Sequence, residues 1–199
     1  MLIFVTGGVR SGKSTFAEQV VSRYVLEDHK AYYVATSAHI DQEMRRRVQK
    51  HRDDRERDSL NWTTIEQPRN LHELAGEFQF GDVVLLDCLT NLLNNELFEG
   101  WDMNANNWIF RSFRKNIYDN ILKGINELME ADVTLVIVSN EVFFDPLPVN
   151  EDGTYYYVEL LGKLHQAIVE KAEIACLVEN GTPIFMKRSI THADRTANR

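Results

Sequence analysis

Gly7, Gly8, Val9, Arg10, Ser11, Gly12, Lys13 and Ser14 read as Gly, four residues, then Gly-Lys-Ser, directly behind the apolar run Leu2-Ile3-Phe4-Val5. That is the spacing of a phosphate loop. The glycines let the backbone turn with its N–H groups facing inward, which makes a concave anion site. Lys13 brings a point charge for β- and γ-phosphates, and the Ser14 hydroxyl is a hard oxygen ligand for Mg2+. The helix-favouring run that starts at Thr15 adds its N-terminal dipole to the same place. A strand before and a helix after distinguish this from a chance glycine turn. The pattern predicts a nucleoside triphosphate site, for ATP, GTP or both.

Three further positions carry candidate chemistry. Asp87 ends the apolar run Val83-Val84-Leu85-Leu86. There it either holds Mg2+ through water, as the strand-end carboxylate of a phosphate-loop protein does, or caps the helix after Cys88. Glu141 follows the strand pattern that ends in Ser139-Asn140. It reads as a general base on a substrate hydroxyl, as an aid to Mg2+, or as a solvated strand-end carboxylate. His51 sits in residues 45–57, which hold seven of the chain's 22 Lys and Arg residues and three acids. A charge run is usually a solvated, ion-paired face. No aromatic residue interrupts it, so nucleic acid is a poor partner, and a polyphosphate suits the compact cluster better. A lone histidine is most often structural. Yet cations nearby lower an imidazole's pKa, and a neutral imidazole can attack an α-phosphate to give a phosphoramidate.

The elements that must position these residues alternate. Short apolar strands are predicted at 2–6, 31–36, 62–66, 83–87, 133–139, 174–178 and 184–187. Helical spacing covers 14–26, 41–55, a region closing at 104–131, and 155–172, with a short helix from 70 to 78 capped by Asn70. Residues 143–154 read as a loop, and Asn180-Gly181 as the turn of an antiparallel hairpin. Continuous apolar strands between helices imply an α/β fold: a mostly parallel sheet covered on both faces, closed by that C-terminal hairpin. Ligands then bind at the carboxyl ends of the strands. We expect one domain over 1–188 and a polar tail at 189–199.

Composition narrows the class. The chain has 199 residues, 44% of them hydrophobic, and a formal net charge of −8. An acidic balance argues against nucleic acid or an anionic membrane as the main partner. Cys88 and Cys176 both lie in apolar runs, which suggests free thiols and a reducing compartment. No run approaches a membrane span and the N-terminus enters a strand at once, so a soluble cytoplasmic protein without a cleaved leader is expected.

Several motifs follow one another in an order narrower than any phosphate loop. They are Val5-Thr6-Gly7 through Ser14, Tyr33-Val34-Ala35-Thr36-Ser37, Asp41-Gln42-Glu43-Met44, Arg47-Val48-Gln49-Lys50-His51-Arg52-Asp53-Asp54-Arg55, Trp62-Thr63-Thr64-Ile65-Glu66 and Asn140-Glu141-Val142. In this series the chain resembles the bifunctional adenosylcobinamide kinase/adenosylcobinamide-phosphate guanylyltransferases of cobalamin biosynthesis. The resemblance implies a RecA-like phosphate-loop fold and a homotrimer. It implies two reactions: γ-phosphate transfer to the aminopropanol hydroxyl of adenosylcobinamide, then GMP transfer from GTP to that phosphate. It places the covalent GMP on His51, with nucleotide contacts at Gly7 through Ser14, Ala35, Thr36, Ser37, Arg52, Asp53, Asp54, Arg55, Glu66 and Asp87. The pattern departs from the family where Glu56 follows Arg55, where Asp87 replaces a common Glu, and where Asp152, Tyr155 and Val158 align with arginines. Two other readings of the residues remain: a kinase of another small alcohol, and a non-catalytic nucleotide-binding module.

Overall fold

The computed structural model describes residues 1–37, 60, 62–103, 106–144, 146 and 152–188. Seven strands form one sheet: β1 (Leu2–Gly7), β2 (Ala31–Ala35), β3 (Trp62–Glu66), β4 (Val83–Asp87), β5 (Thr134–Asn140), β6 (Ile174–Glu179) and β7 (Thr182–Arg188). Their order across the sheet is β3-β2-β4-β5-β1-β6-β7. All neighbours run parallel except β6 and β7, which pair antiparallel. The expected α/β architecture, with its closing hairpin, is met.

Burial on both faces explains the continuous apolar strands. Side chains alternate along a strand, and β1 divides accordingly. Leu2 and Phe4 enter one core cluster, while Ile3 and Val5 enter the other. Helix α1 (Lys13–Tyr24) covers the Ile3 and Val5 face with Phe16, Ala17, Val20 and Val21. Helices α2 (Leu89–Leu97), α3 (Arg111–Glu130) and α4 (Gly153–Lys171) cover the opposite face through Leu92, Ile121, Ile125, Leu161 and Leu164. Each such side chain, fully buried, contributes about 1.5–3 kcal/mol.

Some expected boundaries move. The helical pattern expected from residue 104 begins only at Arg111, because Phe110 is extended (φ −79°, ψ 123°) and a short 3-10 turn, Asn107–Ile109, precedes it. The helix expected at 70–78 is a single 3-10 turn, Leu71–Leu74, ended by extended Ala75. Asn70 does not cap it with its side chain. It adopts a left-handed conformation (φ 54°), and its backbone N–H donates to Glu96 Oε1 at 2.7 Å. Helix α4 starts two residues earlier than expected, capped by Asp152, which accepts from the Tyr155 N–H at 3.0 Å. The helix expected at 41–55 and the tail at 189–199 lie outside the described residues.

The predicted hairpin turn is confirmed in its backbone. Asn180 and Gly181 both have positive φ, 49° and 76°, as a two-residue turn matched to strand twist requires. No described helix is long and apolar enough to cross a membrane.

Candidate functional site

Because β1 through β6 are parallel, their carboxyl ends share one edge, and most of the expected site residues lie along it. The phosphate loop leaves β1 at Gly7 and enters α1 at Lys13. Gly12 precedes the helix in a left-handed conformation (φ 91°), which a side chain would strain. Gly7 is constrained by space instead: a Cβ there would lie 2.5 Å from the Val178 carbonyl oxygen and 2.6 Å from Ser11 Oγ. The loop is tightened by Ser11 N–H donating to the Gly8 carbonyl at 3.2 Å, and Lys13 Nζ reaches back to the same carbonyl at 3.2 Å. Lys13 is buried, an unusual place for an ammonium group unless a polar cradle receives it. Ser14 follows on the first turn of α1, while Val9 and Arg10 form the exposed outer bend.

Sheet register sets the other candidates at fixed separations. Glu66 pairs with Ala35, and Ala35 with Asp87, so these three stand side by side. Gly7 pairs with Asn140 on β5, one residue before Glu141. At about 4.8 Å between strands, Asp87 is about 10 Å across from β1, and Glu66 about 19 Å. Glu66 therefore stands outside direct reach of the loop that begins at Gly7.

Asp87 is held from the neighbouring strand: Tyr33 donates its hydroxyl proton to Asp87 Oδ2 at 3.0 Å. Asp87 does not cap α2, whose N-cap position is Cys88. Thr36, fully buried, clamps the same corner. Its N–H donates to the Asp87 carbonyl at 3.1 Å, and its hydroxyl donates to the Cys88 carbonyl at 2.8 Å while accepting from the Cys88 N–H at 2.7 Å. Burial, reinforced by the Asp87 charge, pushes the Cys88 thiol up to about 11. Ser37 Oγ accepts from Asn91 Nδ2 at 3.1 Å, and Asn95 Nδ2 donates to the carbonyls of Thr36 and Pro68 at 2.7 and 2.9 Å. Helix α2 thus braces the loop after β2.

Glu141 is fixed at the mouth of the phosphate loop by its own N–H, which donates to the Gly7 carbonyl at 2.9 Å. Its Oε1 accepts from the Phe143 N–H at 2.6 Å. Behind it, buried Ser139 exchanges a 2.7 Å hydrogen bond with His165 Nε2 of α4. Burial pulls the His165 pKa down to about 4, which keeps the ring neutral near pH 7.

The edge therefore gathers Gly7, Gly8, Gly12, Lys13, Ser14, Ala35, Thr36, Ser37, Asp87 and Glu141, with Glu66 at its far end. His51, Arg52, Asp53, Asp54 and Arg55 lie outside the described residues. Sequence reasoning missed Tyr33, Asn91, Asn95 and His165. Strand alternation put Tyr33 among β-formers without disclosing its carboxylate partner, and polar residues on α2 or α4 carry no signal of which strand end they meet.

Among the described residues no group of three or more His, Cys, Asp or Glu could hold a metal by itself. The Ser14 hydroxyl and Asp87 carboxylate are hard oxygens, a donor set that suits Mg2+ when phosphates and water supply the rest.

A family model described as cobinamide kinase / cobinamide phosphate guanyltransferase matches residues 3–186. The bifunctional adenosylcobalamin biosynthesis protein CobU of Escherichia coli (strain K12) is 31% identical over 189 residues, covering 94% of this chain and 100% of that one. The bifunctional adenosylcobalamin biosynthesis protein CobP of Pseudomonas aeruginosa is 32% identical over 184 residues, covering 92% and 95%. A solved structure described as a prototypical ATPase from the type III secretion system of pathogenic bacteria superposes with a TM-score of 0.52 at 10% identity, covering 98% of this chain and 60% of that one. That last likeness concerns the fold alone, and it agrees with the expected phosphate-loop ATPase architecture. The chain belongs to the cobinamide kinase / cobinamide phosphate guanyltransferase family, and the kinase and guanylyltransferase functions of adenosylcobalamin biosynthesis are its own.

Proposed function

We propose that the carboxyl edge of this sheet serves both transfers, with residues 1–188 acting as one unit. In the kinase step the loop N–H groups and Lys13 hold the triphosphate of ATP or GTP. Glu141 accepts the proton of the aminopropanol hydroxyl of adenosylcobinamide as its oxygen attacks the γ-phosphorus, and the nucleoside diphosphate leaves. Ser14 and Asp87 would hold Mg2+, which neutralises charge on the β- and γ-oxygens. Ala35, Thr36 and Ser37 border the nucleotide. Glu66, about 19 Å from β1, stands far enough away to meet the base end of an extended nucleotide rather than its phosphates.

In the guanylyl step an unprotonated His51 nitrogen attacks the α-phosphorus of GTP, and pyrophosphate departs with the electron pair of the broken P–O bond. Arg52, Asp53, Asp54 and Arg55 flank that nucleotide. An oxygen of the corrinoid phosphate then attacks phosphorus, the N–P bond breaks, and His51 returns neutral with adenosylcobinamide-GDP formed.

The observation that carries this reading is that a buried Lys13 and Glu141 are tied to adjacent carbonyls, Gly8 and Gly7, of one loop, in a chain matched by the family model over residues 3–186. Incubation with α-labelled GTP tests it. An acid-labile, base-stable adduct is expected on the wild type and absent from His51→Ala. Unlabelled wild type would reject the covalent step and leave a kinase of an alcohol as the better reading. A homotrimer is part of the same reading: Ile184, Phe185 and Met186 are exposed on edge strand β7, an apolar surface suited to a second copy. Sedimentation measures it. Free, buried Cys88 and Cys176 suit a reducing cytoplasm.

A further inference from the structure

A second concave surface lies beside the nucleotide edge, and no transfer step yet uses it. A cavity of about 370 Å³ is lined by Asn94 of α2, by Phe98 at that helix's C-cap, by Trp101, and by Thr154 and Tyr157 of α4. Its walls belong to a continuous aromatic cluster. Phe98 meets Trp101 edge-on at 5.0 Å and stacks with Tyr157 at 6.3 Å, and Trp101 stacks with Trp108 at 6.4 Å. Gly153 lets the first turn of α4 approach these rings: a Cβ there would lie 3.0 Å from Phe98 Cε1. Trp101 nevertheless remains 53% exposed, an aromatic face left in water beside a hollow.

The cup is mechanically continuous with the transfer site. Tyr157 donates its hydroxyl proton to the Thr90 carbonyl at 3.1 Å, and Thr90 Oγ1 accepts from the Asn140 N–H at 3.3 Å. Asn140 is the register partner of Gly7. Along α2, Asn94 lies about 6 Å beyond Thr90, at 1.5 Å per residue, and Phe98 follows at the helix C-cap. The cup thus adjoins the helix turn that is hydrogen-bonded to the strand end beside the loop mouth.

We propose that Asn94, Phe98, Trp101, Thr154 and Tyr157 seat one edge of the corrinoid acceptor and orient its reacting arm toward the phosphate loop. This deepens the functional reading above and rests on it. A corrinoid is a flat conjugated macrocycle rimmed by primary-amide arms. Aromatic faces suit its ring edge, and the Asn94 amide can both donate to and accept from one of those arms, with the Thr154 hydroxyl beside it. The volume is far below that of the whole macrocycle, so the cup takes an edge and one arm while the rest stays open to solvent. Phosphorylation does not alter this edge, so one seat serves the acceptor in both steps.

Steady-state kinase assays with cobinamide and γ-labelled nucleotide test the idea on wild type, Trp101→Ala, Trp101→Phe and Asn94→Leu. The expected result is a KM for cobinamide raised about tenfold in Trp101→Ala and Asn94→Leu, partial rescue by Trp101→Phe, and a KM for nucleotide that holds. Wild type that does not phosphorylate cobinamide sinks the functional reading itself. Wild type that does, beside variants whose cobinamide KM is unchanged, overturns the cup alone and leaves the aromatic surface to a protein partner. A parallel rise in both KM values also overturns it, since that marks general damage.

Discussion

The Gly181 N–H donates to the Ser11 carbonyl at 2.7 Å, so the tip of the β6–β7 hairpin rests on the phosphate loop. The approach is close enough that a Cβ on Gly12 would lie 3.1 Å from the Gly181 Cα. The loop is thus shaped from beneath by a turn more than 160 residues away in sequence. Gly181→Ala keeps the N–H and meets no atom within 4 Å, but places a side chain at φ 76°. It should cost about 1 kcal/mol of stability and raise the KM for nucleotide a few-fold, measured by thermal melting and initial rates. Gly7→Ala is more severe, because its Cβ meets the rigid Val178 carbonyl at 2.5 Å. Nucleotide affinity should fall more than tenfold; near-native binding would show that the crowding at Gly7 is easily relieved.

Tyr33 and Asp87 give a second prediction. Their hydrogen bond at 3.0 Å orients the carboxylate from an adjacent strand. Tyr33→Phe removes that bond, and hydrogen bonds to charged groups are worth about 1.5–3 kcal/mol. The kinase kcat should drop about tenfold and the Mg2+ midpoint should rise, with the melting temperature lowered by several degrees. An unaltered Mg2+ titration would exclude the orienting role.

His165 sets a pH dependence. The ring packs edge-on against Phe4 and Phe143 and meets the Ser139 hydroxyl, and burial pulls its pKa from 6.5 down to about 4. A folded-state pKa below the unfolded one means that the unfolded chain takes up the proton first as pH falls. The stability is fully present above pH 6.5 and is lost progressively toward pH 4. The shift corresponds to an order of 3 kcal/mol. Urea titrations between pH 7 and 4 should show that slope in the wild type and a flatter one in His165→Gln. Equal slopes would contradict the assignment.

How much of this was legible in the sequence depends on the range of the interaction. The strands, the phosphate loop and the Asn180-Gly181 turn are local patterns, and each was predicted within a few residues. Asp87 and Glu141 were legible because a carboxylate at the end of an apolar strand must emerge at the ligand edge. What the sequence could not disclose is pairing across distance: Tyr33 with Asp87, Asn95 with the Thr36 and Pro68 carbonyls, Ser11 with Gly181. Those follow from sheet order, which alternation alone does not specify. The misplaced start of α3 has another cause. Helical periodicity in the sequence runs back to residue 104, but Asn106 and Asn107 have side chains that compete for the backbone and favour turns.

Both cysteines should be inert in the folded state. Burial pushes the Cys88 and Cys176 thiols up to about 11 each. At pH 8 that leaves about one thiolate in a thousand. Alkylation followed by mass spectrometry should modify neither until denaturant is added. Rapid labelling of Cys88 in native protein would mean that the corner clamped by Thr36 opens readily.

The most direct measurement is transfer of the γ-label from nucleotide to cobinamide by wild type and by Lys13→Ala at equal, saturating acceptor. If the buried Lys13 ammonium is what grips the triphosphate, the wild type turns over steadily and the variant falls at least a hundredfold while remaining folded. Transfer that survives in Lys13→Ala would contradict that role and move the phosphate site away from residues 7–14.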